Sequence, residues 1–197
     1  MQQHARRSSQ PLGLMNNLSN IHPSKRAFLT YELGLLTLKA ALSTRDDVYP
    51  VYARQATRTQ RAEVQEAIRA VLPEIEGRYA PSAAPVDERA HIEFIAAVSD
   101  RLSQAHGHAL HGMRFRIGIA QKLINLHLKY LWSAGLVSQP HHCPLDGIVR
   151  DMAHLRYDWT SSDSMDEYVS AIADLRIVAG ERQIAIWELE EFRRRAQ

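Results

Sequence analysis

The sequence has 197 residues, of which 45% are hydrophobic and 23% are charged, and its formal net charge is +2. This size and apolar content exclude a chain too polar to form a core, and they suit one domain or two closely packed lobes. A single cysteine, Cys143, excludes an internal disulfide framework and predicts a reducing, cytoplasmic location.

The first segment, residues 1–22, is predicted to be a flexible arm. It contains Pro11, Gly13 and several Asn and Ser residues, which disfavour packing. Its two arginines precede no apolar stretch, so we do not expect a secretory signal. No apolar run in the chain approaches the roughly 18–20 residues that cross a bilayer, so no membrane partner is expected.

Residues 23–197 predict a single all-α domain, because no segment alternates convincingly with period two. We predict helices over residues 25–42, 59–72, 119–132, 145–155 and 181–194. A further helix is expected to follow Asp87 and to end before Gly107, and another is expected to follow Asp163 or Ser164 and to carry Met165, Tyr168, Ile172 and Leu175. Ser24, Asp87 and either Asp163 or Ser164 are the expected caps, and Pro73 is expected to lie at the end of the second helix. The segment 79–86, with two prolines and small residues, is the expected hinge between two lobes.

The charge distribution is uneven, because no Asp or Glu lies between Arg101 and Asp146. That stretch contains Arg114, Arg116, Lys122, Lys129 and the histidines His106, His108, His111, His127, His141 and His142. A positive block in a near-neutral protein indicates an anionic partner, such as DNA phosphates. The alternative is that acidic residues from other segments fold back over the block.

The helix over residues 119–132 carries a polar stripe beside its apolar face, formed by Lys122, Asn125, Lys129 and Trp132. Lys122 lies near the helix start, where the exposed amides favour anions. Asp146 follows the Pro-containing loop 139–146 and opens the next helix, which it could cap. A lysine and a carboxylate that converge in this way suit glycosidic cleavage. The alternative for the polar stripe is a solvated helix face, with Trp132 packed against the core. The alternative for Asp146 is a simple N-cap.

Two segments, Ile117-Gly-Ile-Ala-Gln-Lys-Leu-Ile-Asn125 and Cys143-Pro-Leu-Asp-Gly-Ile-Val149, resemble the core of the helix-hairpin-helix DNA glycosylases. The Gln121-Lys122 pair is most similar to the archaeal 8-oxoguanine glycosylase branch. The resemblance implies a two-lobed helical bundle, with Lys122 as nucleophile and Asp146 as the essential carboxylate. It also implies that the Gly118 and Ala120 amides bind a DNA phosphate.

On this basis we expect a monomeric DNA glycosylase that flips a damaged or modified base out of double-stranded DNA and excises it without a cofactor. Its role would be DNA repair or defence against phage DNA with modified bases. The base pocket is expected to be formed by Trp132, His142, Cys143 and Asn125. The remaining expected DNA contacts are Gln121, Arg114, Arg116 and Lys129, beside Gly118 and Ala120.

Three different interpretations remain open at the level of sequence. His106, His108 and His111, with His141, His142 and Cys143, are ligand types that could hold a structural zinc. Arg101 and His106 resemble the Arg-x4-His element of the small helical HEPN ribonucleases. The third interpretation is a non-enzymatic helical DNA-binding module that uses the basic block, with help from residues 193–195, for phosphate contacts only.

Overall fold

The computed structural model describes residues 21–44 and 48–192, so nearly all of the predicted N-terminal arm and the basic run 193–195 lie outside the described residues. Within these ranges the chain is all-helical, as predicted, and contains no strands. Its seven α-helices are α1 (Pro23–Ala41), α2 (Arg58–Arg78), α3 (Glu88–His106), α4 (Ile117–Ser133), α5 (Gly147–Ala153), α6 (Met165–Ala179) and α7 (Ile184–Glu191). None of these helices is long and apolar enough to cross a membrane.

Helix α4 is the central element, and α1, α2, α3 and α6 pack around it. Its residues 117–125 are all buried, and so are Leu128 and Leu131 further along. A helix that is apolar on most of its sides lies inside a protein rather than on its surface. The polar stripe that begins at Lys122 is therefore enclosed by neighbouring helices, and the interpretation of this stripe as a solvated helix face is wrong.

The helix boundaries follow the local capping signals at several positions. Asp87 caps α3 by accepting a hydrogen bond from the Ala90 amide at 2.7 Å, and Ser164 caps α6 through the Glu167 amide. The first helix differs from the prediction, because the His22 ring rather than Ser24 accepts the capping bond. The last helix begins at Ile184, later than predicted.

Helix α2 continues through Pro73 to Arg78, although Pro73 was expected to mark its end. An internal proline removes one helical hydrogen bond and costs about 3 kcal/mol. The turn beyond it carries Ile75, which is fully buried, and Tyr79 is buried just past the helix end. Burial of these side chains against the core offsets the cost of the proline.

The predicted hinge segment connects α2 to α3 and also contacts the loop 139–146. The carbonyl of Val86 lies 2.6 Å from His141 Nε2 in that loop. This contact ties the start of α3 to the loop that leads into α5. The division of the chain into two lobes stays a prediction.

Candidate functional site

The loop 139–146 is joined to α4 by the side chain of Gln121. The Gln121 Nε2 group donates to the Leu145 carbonyl at 2.7 Å, and the Leu145 amide donates to Gln121 Oε1 at 3.1 Å. Lys122 follows Gln121 and Asp146 follows Leu145, so each candidate catalytic residue is one position from this double hydrogen bond. The two residues that the sequence paired are thus carried by segments that are in direct contact.

Asp146 is the N-cap of α5, as its position after the loop predicts. Its Oδ1 atom accepts hydrogen bonds from the Ile148 amide at 2.9 Å and from the Val149 amide at 3.2 Å. The residue is half-buried. The two amides fix the carboxylate at the start of α5, next to the bond between Leu145 and Gln121.

Lys122 is 7% exposed, and its Nζ atom lies 3.7 Å from the centroid of the Trp159 ring. One turn earlier, Gly118 touches the backbone of the same tryptophan, and a Cβ atom at Gly118 would lie 2.0 Å from the Trp159 carbonyl oxygen. The connection between α5 and α6 therefore covers the first turns of α4. The aromatic neighbour of the lysine is Trp159, whereas Trp132, the wall that the sequence suggested, packs partly buried against the core.

A buried ion pair lies further along α4, between Lys129 Nζ and Glu188 Oε1 at 2.6 Å. Glu188 is 1% exposed, and its second oxygen, Oε2, has no hydrogen-bond partner among the described residues. Burial raises the pKa of Glu188, Lys129 opposes this effect, and the charge of Asp146 adds to it. Burial likewise raises the pKa of the Cys143 thiol, with Glu188 and Asp146 adding to that shift.

Glu188 and Trp159 are the members of this site that sequence reasoning missed. The run Ile184-Ala-Ile-Trp-Glu-Leu189 offered one signal, because a single acid lies within an otherwise apolar segment. Ionisable residues of this kind are rarely fully buried unless they are paired. Trp159 gave no comparable signal, since its contact with Lys122 depends on how the connection after α5 folds back.

Three of the predicted contact residues form a buried hydrogen-bond network instead of lining an open pocket. Asn125 Nδ2 donates to Tyr168 Oη at 3.0 Å and lies 3.3 Å from Gln121 Oε1. Tyr168 Oη in turn lies 2.6 Å from His142 Nδ1. Asn125, Gln121 and His142 are each fully buried. Their expected contacts with DNA or with a flipped base are not available in this arrangement, and Cys143 is also buried.

The outer end of the network is an ion pair at the start of α3. His142 Nε2 lies 2.9 Å from Glu88 Oε1, and Arg176 binds the same carboxylate. Burial lowers the pKa of His142 to about 4. Burial alone would raise the pKa of Glu88, but hydrogen bonds from Arg176 and His142 lower it to about 2. His142 is therefore neutral beside an ionised Glu88 at neutral pH.

The expected phosphate contacts are already engaged within the protein. Arg114 pairs with Asp163 at 2.8 Å and with Asp100 at 3.0 Å. Arg116 is 5% exposed and donates to the backbone carbonyls of Tyr49, Pro50 and Thr160. Together with the Lys129–Glu188 pair, these contacts show that acids and carbonyls from other segments fold back over the basic block. The structure therefore favours an internally neutralised block over one that is open to DNA phosphates.

The two backbone amides of the expected phosphate site are also bonded. The Gly118 amide donates to the Ser162 carbonyl at 3.0 Å, and the Ala120 amide donates to the Arg116 carbonyl at 3.0 Å. Both residues are buried. A phosphate could reach these amides only if the connection after α5 moved away from α4.

The zinc hypothesis finds no matching arrangement of side chains. Across residues 21–44 and 48–192, no group of three or more His, Cys, Asp or Glu side chains is arranged to hold a metal ion. Of the pair that resembles the HEPN element, Arg101 binds Glu74 at 2.9 Å, and His106 is half-buried at the end of α3.

Comparisons with protein-family models, curated proteins and solved structures found no match to this chain.

Proposed function

We propose that this protein is a DNA glycosylase that cleaves the N-glycosidic bond of a damaged or modified base in double-stranded DNA. The observation that carries the proposal is the double hydrogen bond between Gln121 and Leu145. It joins the residue that precedes Asp146 to the residue that precedes Lys122 on α4. The resemblance to the helix-hairpin-helix glycosylases requires a lysine and a carboxylate from two such segments to converge on the sugar.

Asp146 is the proposed essential carboxylate. As the bond between C1′ and the base nitrogen breaks, its electrons leave with the base and C1′ acquires oxocarbenium character. A carboxylate close to the sugar stabilises that positive charge, and it accepts the proton of the water whose oxygen bonds to C1′. The products are the free base, which takes up a proton, and an abasic site.

An alternative mechanism for the same bond cleavage uses Lys122 as the nucleophile. Its uncharged amine would attack C1′, expel the base with the bonding electrons, and form a Schiff base with the opened sugar. Trp159 covers the amine in this structure, so the indole has to move aside or give its place to the flipped base. The displacement would give up the cation–π contact, worth about 0.5–2 kcal/mol, together with the burial of an indole that is 7% exposed.

The DNA phosphates are proposed to contact exposed arginines, since the arginines of the basic block are engaged elsewhere. Arg54 and Arg58 are exposed. They follow a segment whose carbonyls, at Tyr49 and Pro50, accept hydrogen bonds from Arg116 at the start of α4. Phosphate contacts from such side chains position a duplex without reading its sequence. A role in repair or in defence against phage DNA fits this activity equally well.

The test is base release by the purified protein from duplexes that contain 8-oxoguanine, uracil or hypermodified cytosine, with abasic DNA added for borohydride trapping. Asp146→Asn should abolish base release, and Asp174→Asn, an exposed aspartate on α6, is the matched control. A trapped adduct that is lost in Lys122→Gln would identify the lysine as nucleophile. Alkali-labile sites without an adduct would indicate hydrolysis by Asp146 and water. DNA binding without base release from any duplex would favour the non-enzymatic DNA-binding module.

A further inference from the structure

We propose that Gln121 is a positioning residue, whose side-chain amide sets the placement of the Asp146 carboxylate relative to Lys122. This inference rests on the proposed glycosylase function and deepens it. Gln121 itself is fully buried and has no surface that solvent or DNA could touch. Its effect on the reaction would act through Leu145, the residue that precedes Asp146.

The contact between Gln121 and Leu145 restrains more than a distance. One hydrogen bond would let the loop pivot, but the amide of Gln121 donates to the Leu145 carbonyl and also accepts from the Leu145 amide. The two bonds join one planar side-chain amide to the two peptide groups on either side of the Leu145 Cα atom, so they restrain both the separation and the rotation of the loop against α4. The peptide that leads into Asp146 is therefore held in one orientation against α4.

The amide of Gln121 is itself held in one orientation by its neighbours on α4. Its Nε2 atom also donates to the Gly118 carbonyl at 3.0 Å, and its Oε1 atom faces Asn125 Nδ2 at 3.3 Å. Nitrogen and oxygen thus each have partners of the correct kind, and a flipped amide would place donors against donors. This arrangement leaves a single way to dock the loop.

The same network holds the other end of the loop. Asn125 donates to Tyr168 Oη, so the Tyr168 hydroxyl donates to His142 Nδ1, and His142 Nε2–H donates to the Glu88 carboxylate. When His142 is neutral, each of these three donor hydrogens has one acceptor. His142 and Leu145 therefore anchor the loop at two points, and only the second point adjoins Asp146.

The first variant is Gln121→Met, which keeps the side-chain volume and removes both hydrogen bonds to Leu145. We expect the single-turnover rate of base release to fall about 10- to 100-fold, since a shift of about 1 Å in a catalytic group can cost that much. The affinity for DNA should stay within about twofold, because Gln121 contributes no surface contact. A full rate, or a loss of affinity that accounts for the slower reaction, would overturn the proposal.

The second variant is Gln121→Glu, which tests the donor by pH. A protonated carboxyl at position 121 can donate to the Leu145 carbonyl and accept from the Leu145 amide, as the native amide does. An ionised carboxylate cannot donate and repels that carbonyl. The rate relative to wild type should therefore rise as the pH falls, at temperatures where circular dichroism shows both proteins folded. A relative rate that is independent of pH would contradict the inference.

A structural measurement separates failure of this inference from failure of the proposed function. If the wild-type protein releases no base from any duplex, the glycosylase proposal fails, and hydrogen exchange still tests the positioning. The Ile148 and Val149 amides, which bond to Asp146, should lose protection about tenfold or more in Gln121→Met, whereas the Ile68 amide in α2 should not change. Unchanged protection at residues 148 and 149 would overturn the positioning role by itself.

Discussion

Replacing Gly118 with alanine would place a methyl group where the backbone of Trp159 now lies. The new Cβ atom would be 2.0 Å from the Trp159 carbonyl oxygen and 2.8 Å from its carbonyl carbon, and these are backbone atoms that cannot rotate away. The connection after α5 would have to move by about an ångström or more to restore an ordinary van der Waals contact. That movement strains two hydrogen bonds, from the Gly118 amide to Ser162 and from Arg116 to Thr160.

The expected loss of unfolding free energy for Gly118→Ala follows from these contacts. Overpacking a dense core costs about 1–3 kcal/mol, and two weakened hydrogen bonds add about 1 kcal/mol each. We therefore expect Gly118→Ala to lower the free energy of unfolding by about 3–5 kcal/mol, measured by urea denaturation with circular dichroism. A midpoint within experimental error of wild type would refute the close approach of Gly118 to Trp159.

Gly77→Ala is the matched control for this prediction. Gly77 is also helical, near the end of α2, and a Cβ atom there would meet nothing within 4 Å. Alanine favours a helix over glycine by up to about 1 kcal/mol, so this variant should be as stable as wild type or slightly more stable. The contrast between the two variants isolates the steric effect from helix propensity.

Three further predictions concern ionisable groups of the site. Lys129→Met should lower the free energy of unfolding by about 3–5 kcal/mol at pH 7, because it leaves Glu188 charged, buried and unpaired. The urea midpoint of this variant should approach that of wild type in mildly acidic buffer, where protonation of Glu188 removes the charge. The folded-state pKa of His142, about 4, lies below its ordinary value of 6.5, so the folded protein binds fewer protons than the unfolded chain between those values. Its contribution to stability is full above pH 6.5 and is lost as the pH falls to 4, and the melting temperature of His142→Gln should decline less over that window. Asp146→Asn should keep the helix cap, whereas Asp146→Ala should lose about 1 kcal/mol of unfolding free energy. If both variants lose base release to the same extent, the loss is due to the missing carboxylate and not to the missing cap.

Local features of this chain were predictable from sequence because their causes lie within a few residues. The caps at Asp87, Asp146 and Ser164 depend on a side chain and on amides two or three positions later. The apolar face of α4 likewise follows from its own residues, whereas its polar stripe is covered by Trp159, Tyr168 and Glu188 from later segments. The pairing of Asp146 with Lys122 was suggested by a motif and stays a prediction; the structure gives a contact between their neighbours Gln121 and Leu145.

Other features depended on residues far apart in the chain and were not predictable. The basic block looked unpaired because Asp163 and Glu188, which neutralise Arg114 and Lys129, come after it in sequence. The contact of Lys122 with Trp159 was missed for the same reason, since Trp159 reaches the lysine from another segment. Pro73 was expected to end α2, but the burial of Ile75 is set by the packing of the whole bundle.

The central position of α4 also has a consequence for the order in which the fold and the proposed activity would be lost on heating. A helix that is buried along nearly its whole length has no exposed face with which to stay folded once its neighbours leave. Its amides should therefore exchange with solvent only through global unfolding, on the slowest timescale that the molecule shows. The candidate lysine is thus carried by the last element expected to melt, so an activity that is lost below the midpoint of complete unfolding would be lost through Asp146 and its loop rather than through α4.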